Sequence, residues 1–335
     1  MDNNKTVQLL EGIGYIIDNN ISRAIVTFKN QILHGNSSPE NYIILGKLYR
    51  QQKDLVRAIK IHENINSIEN LDKKIRYFNM VELVHSYYDY GDYDKTIYYS
   101  NTLKNKNPEI YKIMADSYLH LKLYEKAINI YKRLEKQQNN IYSRYIAYCY
   151  FIEGEEAAPT NSSKILRVIK KGLKNYSRSR KGNMLLIDYY YKKNNTRDCI
   201  ASIERFINEK IAKSDSDLHN LEKIYFDIDN IENFATMILK SQKNNEKDVF
   251  IALYLADYYV RKSRLDKALD ILSNNIKLNG SKRLIVRKFA QLKSDDILKV
   301  LVDEYNYKCL KCDSLFSEYQ DICNKCKSIE TLKPY

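Results

Sequence analysis

Apolar residues recur along this chain at three- and four-residue intervals from Leu9 to about Val302, with polar positions between them. That period lays one apolar stripe along each of many consecutive helices. Strict apolar–polar alternation, the mark of a half-buried strand, is absent from the first 300 residues. Asn279-Gly280 stands isolated between two predicted helices, not inside a hairpin. Asn107-Pro108 opens one helix, and the stretch from Gly35 to Pro39 separates two others. Ser162 or Ser163 is placed to cap the helix through Ile165, Leu166, Val168 and Ile169. The segment Glu153-Gly154-Glu155-Glu156-Ala157-Ala158-Pro159 is expected to be a longer interhelical loop.

A second period lies over the first. Tyr is followed nine residues later by a small residue at Tyr15 and Ala24, Tyr49 and Ala58, Tyr87 and Thr96, and Tyr118 and Ala127. The same offset returns at Tyr190 and Cys199 and at Tyr259 and Ala268, while Tyr225 is followed by the larger Phe234. Ala24 and Ala58 are 34 residues apart. Two helices that cross closely need one small wall, with a ring from the partner helix filling the neighbouring groove. This is the spacing of tetratricopeptide repeats. Seven to eight helical pairs are expected to stack as one solenoid, each covering its neighbour's apolar flank and together forming a concave binding groove.

Composition narrows the possibilities. The 335 residues include only 9 Gly and 4 Pro, too few for a dinucleotide-binding α/β enzyme or a β-sandwich. Thirty Tyr against 9 Phe and no Trp suits many half-buried helix contacts, where the ring packs and the hydroxyl finds a polar partner. No stretch approaches the roughly 20 apolar residues of a transmembrane helix, and Met1 to Gln8 is polar. A net charge of +13 favours acidic partners, including an anionic membrane surface.

The pattern changes after Glu304. Cys309-Leu310-Lys311-Cys312 is followed, after ten intervening residues, by Cys323-Asn324-Lys325-Cys326. Two such pairs make two tight knuckles whose thiolates close a tetrahedral shell. The expected ligands are Cys309, Cys312, Cys323 and Cys326, around one four-thiolate ion, iron or zinc. So short a tail has no core of its own, and structural zinc contributes an apparent 10–16 kcal/mol, roughly, in comparable units. A shell closed by four protein ligands leaves no position for substrate, pointing to a structural, redox or sensing role. Four thiolates with a divalent ion would bring the net charge to about +11. Lys308, Lys311, Lys325 and Lys327 surround the cluster and offset its charge.

The predicted fold class is therefore all-α, a tetratricopeptide-repeat superhelical solenoid with a small rubredoxin-like or zinc-ribbon knuckle at the C-terminal end. The array is assigned to 5–302, with units near 8–36, 40–70, 75–105, 108–138, 141–177, 180–212, 216–243 and 247–277 and closing helices at 281–302. The four-cysteine domain is assigned to 305–335.

No catalytic constellation emerges. His34, His85, His120 and His219 are dispersed, and His62 occupies an aromatic's place in its helix, as a core histidine would. Cys149 and Cys199 are expected to be buried structural thiols. Tyr189-Tyr190-Tyr191 and Tyr258-Tyr259 are expected to fill interhelical space, and Asp295-Asp296 to be N-terminal helix charges. Gly12-Ile13-Gly14 lacks the continuation of a phosphate loop.

Three sets of residues resemble one known family. They are Leu45-Gly46-Lys47-Leu48-Tyr49-Arg50, Arg57-Ala58-Ile59-Lys60-Ile61-His62, and the terminal Tyr307-x-Cys309-x-x-Cys312, Cys323-x-x-Cys326 and Thr331-Leu332-Lys333-Pro334. Together they are similar to the lipopolysaccharide assembly protein B family, also called the YciM family, from about Leu9 onward. Asp313 stands where the family has Gly and Asn324 where it has Pro, and both types tolerate positive φ. Ile322 and Ile329 replace family Trp packing. The family's N-terminal transmembrane anchor has no counterpart in this sequence: either the true start lies upstream, or the protein reaches the membrane through partners or basic patches, and the expected location is cytoplasmic, peripheral to the inner membrane.

The resemblance implies a non-enzymatic adaptor in Gram-negative lipopolysaccharide biosynthesis. Such an adaptor presents the lipid A pathway deacetylase to a membrane-bound ATP-dependent protease and contacts lipopolysaccharide synthesis enzymes. No small-molecule substrate is expected. Two alternatives are an RNA- or DNA-binding repeat protein with a zinc ribbon and a generic interaction scaffold with a redox-sensing metal site. Acidic residues Asp313, Glu318, Asp321 and Glu330 interrupt the basic tail, so nucleic acid is not expected.

Overall fold

Helix starts are written in the side chains. Asn20, Ser38, Asp54, Asp72, Asp92, Asn107, Ser179, Asn195 and Asp248 each accept a hydrogen bond from a backbone amide two or three residues on. The computed structural model describes residues 2–34, 38–137, 141–157, 162–228, 231–244, 246–279, 282–294 and 306–335. It is an all-α helical-repeat fold with a four-cysteine knuckle at its C-terminal end.

Two compact units divide the chain, Met1–Tyr142 and Ser143–Tyr335. The first holds α1 (Asp2–Ile17), α2 (Ile21–Leu33), α3 (Pro39–Gln51), α4 (Leu55–Asn66), α5 (Lys73–Tyr90), α6 (Tyr93–Thr102), α7 (Pro108–His120) and α8 (Tyr124–Gln137). The second begins with α9 (Ser143–Ala157), α10 (Ser162–Asn175), α11 (Arg180–Lys192), α12 (Thr196–Asn208) and α13 (Asp215–Asp227). It continues with α14 (Ile231–Asn244), α15 (Val249–Arg261), α16 (Leu265–Asn279) and α17 (Arg283–Lys293). Consecutive helices pair, and the first helix of one pair also touches the first of the next, as α3 does α5 and α13 does α15.

The turn is nearly invariant inside six of the pairs, α1–α2, α3–α4, α5–α6, α7–α8, α11–α12 and α15–α16. Four residues after the repeat Tyr the chain enters the left-handed region, at Asn19, Lys53, Gly91, Lys122, Asn194 and Ser263. The next amide then donates to the carbonyl of that Tyr, as in Asn20 to Tyr15, Asp54 to Tyr49, Asp92 to Tyr87 and Arg264 to Tyr259. Ala24, Ala58, Thr96, Ala127, Cys199 and Ala268 all follow this turn, and all are fully buried. Phe234 is also buried in its slot, 5.0 Å from the Tyr225 ring and edge-on to Tyr254 at 5.6 Å. Cys149 is buried within α9.

One sequence expectation is corrected. Glu153 to Ala157 is not loop, because α9 continues through it. Gly154 is buried, and a Cβ there would lie 3.1 Å from Val168 Cγ2, so this glycine permits close approach of α10 instead of breaking a helix. Ala158 and Pro159 lie outside the described residues, as do Gly35 to Ser37, Gly280, Asp295 and Asp296. Ser162 begins α10, but the side chains of Ser162 and Ser163 are likewise outside the description. Among the described residues, no helix is long and apolar enough to cross a membrane.

His62 is a fully buried core residue of α4. Asn79 Nδ2 donates to the His62 carbonyl at 2.8 Å, which turns Asn79 Oδ1 toward the ring, 2.9 Å from Nδ1. Nδ1 therefore carries the proton, and Nε2 has no hydrogen-bond partner among the described residues. It faces Gly46, where a Cβ would lie 2.6 Å from Nε2. Burial pushes the imidazole below its ordinary value, against the pull of Asn79 and Glu82.

Two outcomes follow. Ala58→Leu should overpack the α3–α4 crossing and lower the unfolding free energy by about 1–3 kcal/mol in urea titrations. For His62, the unfolded imidazole takes up a proton that the folded one resists, so stability should fall as pH drops below about 6.5. His62→Gln, which keeps an amide near Asn79 but does not titrate, should flatten the slope of stability between about pH 5 and 6.5. His85, also depressed chiefly by burial, supplies the slope that remains.

Candidate metal centre

The four predicted cysteines are brought together. Their sulfurs all lie within 4.8 Å of one another, with Cys309 3.7 Å from Cys326 and Cys312 3.6 Å from Cys323. This four-thiolate site is geometrically suited to a tetrahedral ion such as zinc or iron.

Both knuckles are built alike. The Cys309 amide donates to Ser314 O at 2.9 Å, and the Asp313 amide donates to Cys309 O at 3.0 Å. In the second knuckle, Cys323 N to Ser328 O and Lys327 N to Cys323 O repeat those bonds at 2.9 and 2.8 Å. Asp313 and Lys327, each directly after the second cysteine of its pair, have φ of 56°. The left-handed residue of the second knuckle is therefore Lys327 and not Asn324. A three-stranded antiparallel sheet in the order β2-β1-β3 supports the first knuckle, from β1 (Tyr307–Cys309), β2 (Leu315–Phe316) and β3 (Leu332–Pro334). Ile322 and Ile329 form an antiparallel bridge across the second.

Hydroxyl groups converge on the sulfurs. Ser314 Oγ lies 3.2 Å from Cys312, Ser328 Oγ 2.9 Å from Cys326, and Thr331 Oγ1 3.2 Å from Cys309. Burial opposes ionisation of Cys309, but Thr331, the Lys311 and Cys312 amides and Ser328 bring it down to about 5. Ser314 also holds Cys312 below its ordinary value. Buried Cys323 is pushed up to about 12. Sulfur acceptors ringed by O–H and N–H donors are what a metal-bound thiolate shell requires. The three hydroxyls were not singled out from the sequence. For Ser314 and Ser328 the signal was there, since Cys-x-Lys-Cys-x-Ser occurs at both Cys309 and Cys323.

The knuckle packs on the second unit, and its buried Tyr307, Cys309, Cys323 and Leu332 share one apolar cluster with α11 to α17. The polar contacts fall well back along the chain. Glu330, only 7% exposed, sits at the N-terminus of α11. Its carboxylate accepts from Ser179 Oγ at 2.5 Å and from the Arg180 and Lys181 amides at 3.3 Å each. An anion at this end of a helix meets unpaired amides and the positive end of the dipole. Burial pushes Glu330 above its ordinary range, against the downward pull of Ser179 and the amides.

Arg180 ties this contact to α13. Its guanidinium donates to fully buried Asp217 at 2.6 to 3.0 Å and reaches Asp321 at 3.5 Å. It also lies 5.5 Å from the Tyr319 ring centroid. Arg144 donates to the carbonyls of Ile329 and Glu330, and Tyr307 Oη to Lys213 O at 3.0 Å. Arg283, at the start of α17, places its guanidinium 4.1 Å from the Tyr335 ring centroid. Lys308 is paired with Asp313, while Lys311, Lys325 and Lys327 are exposed.

Fold and site together define a tetratricopeptide-like repeat protein carrying a four-thiolate end-piece. Among curated proteins it is distantly homologous to lipopolysaccharide assembly protein B. It is 20% identical to that of Escherichia coli strain K12 and 21% identical to that of Haemophilus influenzae, each over 96% of this chain and 88% of the relative. No family model matches the chain. Similar solved structures include MamA, at 16% identity over 53% of this chain and 94% of that one, with a TM-score of 0.41. A tetratricopeptide repeat protein from Parabacteroides merdae is 14% identical over 77% and 100% of the two chains, with a TM-score of 0.39.

Removing Arg180 should be costly, because Asp217 stays buried without its cation. Arg180→Ala is expected to destabilise the second unit by about 3 kcal/mol in urea unfolding, and adding Asp217→Asn should recover part of that loss.

Proposed function

We propose that this protein is a non-enzymatic adaptor in the control of lipopolysaccharide biosynthesis, working at the cytoplasmic face of the inner membrane. In this reading Cys309, Cys312, Cys323 and Cys326 hold one iron or zinc ion as thiolates. The ion supplies a rigid cross-link and no reaction step. The repeats then present the lipid A pathway deacetylase to a membrane-bound ATP-dependent protease.

The observation that carries the reading is the extent of the similarity to lipopolysaccharide assembly protein B. It covers 96% of the chain, too much to omit either the repeats or the whole of residues 306–335. Three features support the same reading. The four sulfurs form a closed donor set, the knuckle is keyed into the repeats through Glu330 and Arg180, and the chain carries a surplus of 13 positive charges. A surplus of that sign suits the anionic surface of the inner leaflet.

Crosslinked capture of the full chain from its native cells tests the proposal. The protease and the deacetylase should both be recovered, with about one metal ion per chain, as a single four-thiolate shell requires. Cys323→Ser should lose both the metal and the capture. Recovery of neither enzyme overturns the adaptor role, and full capture by metal-free protein overturns the part given to the knuckle.

A further inference from the structure

The first unit contains a cavity of about 1070 Å³ between the start of α5 and the end of α6. Tyr77, Met80, Tyr99 and Leu103 line it together with Phe78 and Tyr98, which are 61% and 64% exposed. Lys73, Lys74, Arg76 and Lys104 also line it, and no carboxylate does. Arg76 is occupied, donating to the carbonyls of Asn66, Ile68 and Glu69. The ammonium groups of Lys73, Lys74 and Lys104 have no hydrogen-bond or ion-pair partner among the described residues.

The position of two of those lysines is electrostatically unfavourable. Lys73 and Lys74 open α5, whose first turn carries no acidic residue, so they add positive charge to the positive end of the helix dipole. Asp72 offsets part of this charge, its carboxylate accepting from the Lys74 and Ile75 amides and attracting Lys74, but it is one carboxylate against two lysines. An anion bound among the lysines would remove the conflict.

The cavity wall decides between kinds of anion. Apart from the four cations and the side-chain hydroxyls and amides at its edge, the wall is aromatic and aliphatic, and most of its backbone is already hydrogen-bonded within α5 and α6. An extended peptide would leave its own amides unpaired against such a wall, whereas a hydrocarbon tail has none to lose. A volume of about 1070 Å³ lies at the upper end of the range for a small-molecule site.

We infer that this cavity binds a free single-chain anionic amphiphile, its tail against Tyr77, Met80, Tyr99 and Leu103 and its carboxylate or phosphate head among Lys73, Lys74 and Lys104. The inference is independent of the adaptor reading and of the metal site.

Calorimetric titration of the full chain below micelle-forming concentrations tests it. Decyl phosphate and decanoate should bind with one-to-one stoichiometry, the stronger of the two naming the head group, and both should weaken with added salt. Decyl maltoside should bind roughly tenfold more weakly, and decyltrimethylammonium more weakly still. The triple variant Lys73→Gln, Lys74→Gln, Lys104→Gln, at surface positions and checked for an unchanged thermal midpoint, should lose about tenfold in affinity for the anions and little for the maltoside. Phe78→Ala should weaken every ligand. Equal binding of all head groups, non-saturable uptake, or an unchanged triple variant overturns the inference. So does binding confined to phosphatidylglycerol vesicles or to an acidic peptide.

Discussion

A large side chain from one helix settles closely on its partner where the partner has no Cβ or a very small one, and every described crossing of the repeat array except the one at Phe234 rests on that constraint. Phe151 of α9 shows it most clearly. A Cβ at Gly172 or Gly182 would fall 2.3 or 2.2 Å from its ring. The ring therefore draws α10 and the start of α11 close together, and Gly182 lies in the first turn whose amides and capping Ser179 receive Glu330. The packing of one aromatic residue and the seating of the C-terminal knuckle are thus linked through a single helix end.

Tyrosine serves a purpose in this array that phenylalanine would not. The Tyr87 hydroxyl meets Glu63, the Tyr131 hydroxyl meets Asp116, and Tyr191 Oη donates to Asp227 at 2.8 Å. Each ring packs between helices while its hydroxyl satisfies a carboxylate. Ion pairs join helices of successive repeats in the same way, Arg50 to Asp89 in the first unit and Arg261 to Glu222 in the second.

The repeats were legible because Tyr and a small residue nine positions on are both needed for the same crossing. Four cysteines at fixed spacing announced the metal centre for a similar reason, since little else satisfies that geometry. Glu153 to Ala157 was misread because Gly marks both a turn and a close approach, and local sequence does not distinguish them. The intra-pair turns were invisible as well, because Lys53, Lys122 and Ser263 take positive φ where glycine would have given the signal. The docking of the knuckle was harder still. A Glu in a basic tail and a Ser-Arg pair some 150 residues earlier become partners only once the chain has folded.

That last separation bears on how the protein is made. Helical pairs close over a few dozen residues, and each can form as it leaves the ribosome. Glu330 lies 151 residues from Ser179 and its carbonyl 186 residues from Arg144. Until residues 306–335 have been synthesised, the nascent second unit has repeats in place but an unfilled helix end at Ser179 and a shared apolar cluster still missing Tyr307 and Leu332. The contacts that close over its middle repeats are therefore among the last the chain can make.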